Sequence, residues 1–155
     1  MKLFVLSGMA LAAALTVPSA LAQPFHQTAV EHRVLPVSAS YSLDSQTSTR
    51  EVAPIPANRA GQSACRWKAN VVVNRAVHTA DKTAVAALAK PIHQFAPLSG
   101  YEIGTCQAAE KRIAAAVARE SGRLASDATA VAQRDQGALM AELDGVAALS
   151  QAKGG

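Results

Sequence analysis

No proline occurs after Thr105, and the apolar residues of that stretch fall at helical spacing: Ile113, Val117, Leu124, Ala128, Val131, Leu139, Leu143, Val146 and Leu149. Such spacing gathers them on one narrow stripe and predicts helix from about residue 105 to 151. Thr105 stands just before Cys106 as an N-cap. Glu120–Arg123 and Arg123–Asp127 are spaced as charged pairs on a helix face. Lys153-Gly154-Gly155 suits a helix end, with 152–155 as a frayed tail. A continuous helix of this kind would be about 45 residues and roughly 67 Å long at 1.5 Å per residue. A small domain does not cover that length. Ser121-Gly122 offers a break, either a kink or the turn of a helical hairpin near 121–123. Glycine costs only about 1 kcal/mol inside a helix, and two residues make a tight turn between helices. One long, kinked helix is therefore the favoured reading.

Composition narrows the rest. The chain has 155 residues, of which 35 are alanine; 50% are apolar but only 4% aromatic. Alanine favours helix and buries little area per residue. A large aromatic-rich β-sandwich or barrel core is excluded on this basis, and a two-domain enzyme with a deep cleft is argued against.

The N-terminus has the layout of a secretory signal peptide. Met1-Lys2 is a short basic start, Leu3–Val17 an uncharged apolar run, and Pro18-Ser19 a break before Ala20-Leu21-Ala22. Small residues at 20 and 22 suit cleavage after Ala22. The run is 15 residues long, short of the ~20 needed to span a bilayer, so an uncleaved anchor is the weaker alternative. The expected location is periplasmic or extracellular, with no transmembrane anchor after cleavage.

An exported chain with two cysteines, Cys65 and Cys106, is expected to pair them. The loop closed would hold 42 residues, for which chain entropy gives roughly 4 kcal/mol. No CxxC motif is present, and the Cys and His spacings match no compact zinc site.

Between signal and helix, residues 23–63 are rich in Ser, Thr, Pro and Gln and are expected to form a flexible, disordered arm. Within it, Val30–Val37 alternates as a short edge strand would. Cys65–Val77 is the clearest strand: Cys65, Trp67, Ala69, Val71 and Val73 share one face, with Arg66, Lys68, Asn70 and Asn74 on the other. Asp81 can cap a short helix over 82–90, ended by Pro91. Residues 92–104 hold Pro97, Gly100 and Gly104 and are expected to be loop. The fold class is thus α+β, mainly α. A disulfide-stapled domain over 64–151 would join a short β element around Trp67 to a long C-terminal helix.

Catalytic patterns are missing. There is no GxSxG, no HExxH and no phosphate-binding glycine loop. His78, Asp81 and His93 lie within the Cys65–Cys106 loop and would be the residues of a metal-dependent hydrolase, the weakest of the readings. The expectation is a non-enzymatic protein with no cofactor and no metal.

Two binding features remain. The helix stripe of Ile113, Val117, Leu124, Val131, Leu139, Leu143 and Val146 is more than a short β element can bury, which points to self-association or a protein partner. Glu120 and Asp135 interrupt it, against a regular coiled coil. Its balanced charge and lack of aromatics do not suit a membrane surface. The second feature is charge. Residues 63–105 hold Arg66, Lys68, Arg75, Lys82 and Lys90 against Asp81 and Glu102, whereas 23–62 and 106–155 are each balanced. Arg66, Lys68 and Arg75 around Trp67 are candidates for an anion site serving a lipid headgroup or polyanion, nucleic acid being the less favoured of these.

Overall fold

The computed structural model describes residues 23–52 and 63–153. The expected signal peptide, the Pro54/Pro56 part of the expected arm and the last two glycines lie outside them. Five strands form one antiparallel sheet: β1 (Pro24–Val30), β2 (Val37–Val52), β3 (Ala64–Thr79), β4 (Lys90–Gln94) and β5 (Leu98–Ile103). Two helices follow, α1 (Cys106–Arg123) and α2 (Ala125–Lys153). The molecule is therefore not mainly α: the sheet is as large a part of it as the helices.

The expected disordered arm is the main correction. Its first 30 residues are β1, a turn and the 16-residue β2, and the expected strand Val30–Val37 is instead the paired ends of β1 and β2 with the turn 31–36 between them. β2 pairs with β3 over all 16 positions, from Val37 opposite Thr79 to Val52 opposite Ala64. β3 buries Cys65, Trp67, Ala69, Val71, Val73, Arg75 and Val77, all of one parity, so it is the amphipathic centre of the sheet. A neighbour of such a strand needs only backbone pairing and a few apolar residues. β2 supplies Val37, Ala39 and Tyr41 to the core and leaves its Ser/Thr-rich second half exposed. Polar composition hid a strand that β3 holds in register.

Residues 90–103, expected to end a helix and then form loop, run along the other side of β3. β4 pairs with 72–75 and β5 with 64–69, so the two are one edge strand interrupted at 95–97. Pro91 and Pro97 fit because an edge strand needs no donor on its outer side. The expected helix over 82–90 is reduced to one 3₁₀ turn, Ala86–Leu88. Asp81 caps no helix: it accepts hydrogen bonds from the Thr79 and Thr83 hydroxyls, which hold its carboxyl below the usual carboxylate range.

α1 and α2 lie end to end on the inner face of the sheet. Thr105 Oγ1 caps α1 by accepting from Ala108 N at 3.2 Å. Between the helices, Leu124 N donates to Ser121 O at 3.1 Å, one tight turn, and Ala128 N resumes the ladder on Leu124 O at 2.8 Å. The joint is a kink. It divides the core into two clusters: Cys65, Trp67 and Ala69 with Ala109, Ile113, Ala116 and Val117, and Tyr41, Val73 and Val77 with Ala128, Val131, Ala132, Leu139 and Leu143. A 16-residue strand spans about 50 Å at 3.3 Å per residue. That length is what the expected short β element lacked, and it covers most of the helical layer.

Candidate functional site

The inner face carries one buried cation. Arg75 is 1% exposed, on the same side of β3 as Val73 and Val77. Its Nη1 donates to Asp135 at 2.8 Å, its Nη2 to Glu142 at 2.5 Å and its Nε to the Leu88 carbonyl at 3.0 Å. Tyr41 Oη donates to the same Asp135 oxygen at 3.1 Å, and Lys90 Nζ to Glu142 at 2.7 Å. Burial alone would lower the Arg75 pKa, but its bonds to Asp135 and Glu142 outweigh this and raise it. Burial, with Asp135 beside it, pushes the Tyr41 phenol far up. Glu142 is raised by burial but lowered more by Lys90 and Arg75, so it ionises below the usual range. Arg75 thus bolts β3 to α2 and does not face a ligand. Asp135 and Glu142 sit in the helix stripe because they meet it. The signal was in the sequence: Arg75 has the parity of the apolar face of β3, and Asp135 and Glu142 are seven apart.

The outer face carries Arg66 and Lys68, within three cross-strand rows. Arg50 of β2 is opposite Arg66 of β3, which is opposite Tyr101 of β5. One step inward lie Ser48, Lys68 and Ser99; one step toward the end of the sheet lie Val52, Ala64 and Ile103. Paired residues of an antiparallel sheet point to the same side, so all nine share this face. Arg50, Arg66 and Lys68 are exposed, and among the described residues none of the three makes an ion pair. The Arg66 guanidinium lies 5.6 Å from the centre of the Tyr101 ring, a cation–π contact that leaves Tyr101 64% exposed. A shallow depression runs between Ser48, Arg50, Arg66, Lys68, Pro97 and Ser99. The nearest carboxylates, Glu51 and Glu102, are opposite Cys65 and hence on the inner side, where Glu102 accepts from Arg112 Nε at 2.9 Å.

The structure therefore separates the three cations singled out from the sequence. Arg66 and Lys68 stay together, Arg75 lies through the sheet from them, and Arg50 and Tyr101 take its place. Arg50 was hidden in the segment expected to be disordered. Trp67 is 5% exposed and packs on Gly100 of β5, so it builds the core beneath this face rather than the site itself.

The other candidates have structural surroundings. Cys65 and Cys106 form a disulfide with Cα atoms 4.8 Å apart, joining β3 to the first turn of α1. Of the helix stripe, Ile113, Val117, Val131, Leu139 and Leu143 are buried against the chain's own sheet, Leu124 and Val146 are half-buried, and Leu149 is exposed. The apolar area that pointed to a partner is mostly covered from within. His78 bridges to Ala84, and His93 meets the Phe95 ring edge-on at 4.7 Å. Among the described residues no group of three or more His, Cys, Asp or Glu is placed to hold a metal ion, and no helix is long and apolar enough to cross a membrane.

No protein-family model, curated protein or solved structure matches the chain.

Proposed function

We propose that this is an exported, non-enzymatic protein that binds anionic partners through the outer face of its sheet. The observation that carries the reading is the Arg50, Arg66 and Lys68 cluster, held on rigid strands with no carboxylate to neutralise it among the described residues. Arg50 directly opposite Arg66 is a like-charge pair, which costs stability in a sheet, and an anion bridging the two guanidiniums removes that cost. The export part rests on the N-terminal sequence and the Cys65–Cys106 disulfide, which suits an oxidising compartment.

The test is retention on immobilised heparin with a salt gradient. The wild-type chain is expected to elute with salt, because screening weakens contacts between exposed charges. Arg66→Ala with Lys68→Ala is expected to elute at markedly lower salt, and Lys111→Ala on exposed α1 to elute as wild type. Flow-through of the wild type at low salt removes the reading. Intact mass of the protein from its native compartment tests export: the mature chain is expected to begin at Gln23.

A further inference from the structure

We propose that the anionic partner is a phospholipid bilayer surface, met by the end of the sheet where β2 and β5 finish and β3 begins; this rests on the anion-binding reading above. The support is the order of the three rows on the outer face. Among the described residues the outermost row is apolar: Ile103 is 69% exposed, and Val52 and Ala64 beside it are half-buried. The next holds Arg50, Arg66 and Tyr101, and the third Ser48, Lys68 and Ser99. Rows two residues apart along a strand are about 7 Å apart. From the tip inward the face therefore passes from aliphatic, through aromatic and guanidinium, to ammonium and hydroxyl, over roughly 14 Å.

This sequence of chemistries matches the depth profile of a membrane interface. Aliphatic side chains favour the acyl boundary, Tyr and Arg the headgroup level, and Lys the aqueous side of the phosphates. A soluble polyanion offers charge for the two cationic rows but nothing for Ile103 or the Tyr101 ring. Both are exposed on the same strand, two residues apart, so they point the same way. The carboxylates next to this end, Glu51 and Glu102, are on the opposite side of the sheet, and Asp44 of the outer face lies two rows beyond Lys68, so among the described residues the three docking rows themselves carry only positive charge. The disulfide and the Thr105 cap anchor the start of α1 to β3 beside β5.

The experiment is co-sedimentation of the mature, disulfide-bonded chain with vesicles of phosphatidylcholine containing phosphatidylglycerol, alongside vesicles of phosphatidylcholine alone and a heparin column. The wild type is expected to bind the anionic vesicles and not the neutral ones. Each cation near such a surface contributes about a fivefold factor in affinity, so Arg66→Ala with Lys68→Ala should weaken vesicle binding roughly thirty-fold. Tyr101→Ser with Ile103→Ser should weaken vesicle binding about tenfold or more, through lost apolar burial, and Ile103→Ser alone should weaken vesicle binding while leaving heparin elution unchanged. Ile103→Ser alone, at the more exposed of the two positions, guards against loss of fold in the double variant, and circular dichroism checks both. Heparin retention without vesicle binding, or vesicle binding indifferent to Ile103→Ser and the double variant, overturns the bilayer proposal and leaves the anion reading standing. Failure to bind either heparin or anionic vesicles overturns both.

Discussion

Gly100 is the position where one methyl group would be felt most. A Cβ built there lies 2.6 Å from the Trp67 ring, which is buried in the cluster with Ala109, Ile113 and Val117. Gly100→Ala is expected to destabilise the fold by about 1–3 kcal/mol through overpacking, read as a lower urea midpoint with an unchanged slope. Glu142 matters for charge. Its ionisation is favoured in the folded state by Lys90 and Arg75. A lowered folded pKa adds stability above the unfolded value, and that stability is lost as pH falls through the folded one. Unfolding measured from neutral pH downward should thus show stability falling once pH passes below the ordinary carboxylate range of about 4. Glu142→Gln should cost about 1–2 kcal/mol at neutral pH and flatten part of that decline. An unaltered acid profile in the variant would show that Glu142 contributes nothing to it.

At the scale of elements, β2 shows how much a strand can owe to its neighbour. Only Val37, Ala39 and Tyr41 of its 16 residues are buried, yet it stays paired with β3 to the end. The pairing sets Arg50 against Arg66, and the like-charge cost is of order 0.2–1 kcal/mol. Arg50→Thr is expected to raise thermal stability slightly while weakening binding to heparin. A variant that gains stability without losing binding would remove Arg50 from the site. This part of the site was illegible in the sequence. Arg66 and Lys68 stood out because β3 alternates cleanly. Arg50 lies in SQTSTREV, where no apolar periodicity marks a strand and only the partner's register gives the residue a side. Arg75 was misplaced for the opposite reason, since counting charge by segment ignores the parity that sends it inward.

Over the whole molecule, the two core clusters meet at the Leu124 kink and are held by different means. The cluster around Trp67 is tied by Cys65–Cys106, and the one around Tyr41 by the Arg75 bonds. Cys65→Ala with Cys106→Ala is expected to cost about 2–4 kcal/mol. Hydrogen exchange should show β5 and α1 losing protection before α2 and the β1–β2 end do. Equal loss throughout would mean the clusters are one cooperative unit.

The sequence alone determined the elements whose pattern is local. The helical stripe after Thr105, its cap, the alternation of β3 and the only possible cysteine pairing are each set by spacing along the chain. Tertiary structure alone decided that β2, β4 and β5 are strands, that the stripe is covered from within, and that Arg50, Arg66 and Tyr101 stand in one row. The physical reason is that sheet neighbours are chosen by backbone hydrogen bonds that carry no sequence pattern. A polar segment beside a strongly amphipathic strand takes its structure, and the face its charges occupy, from that strand.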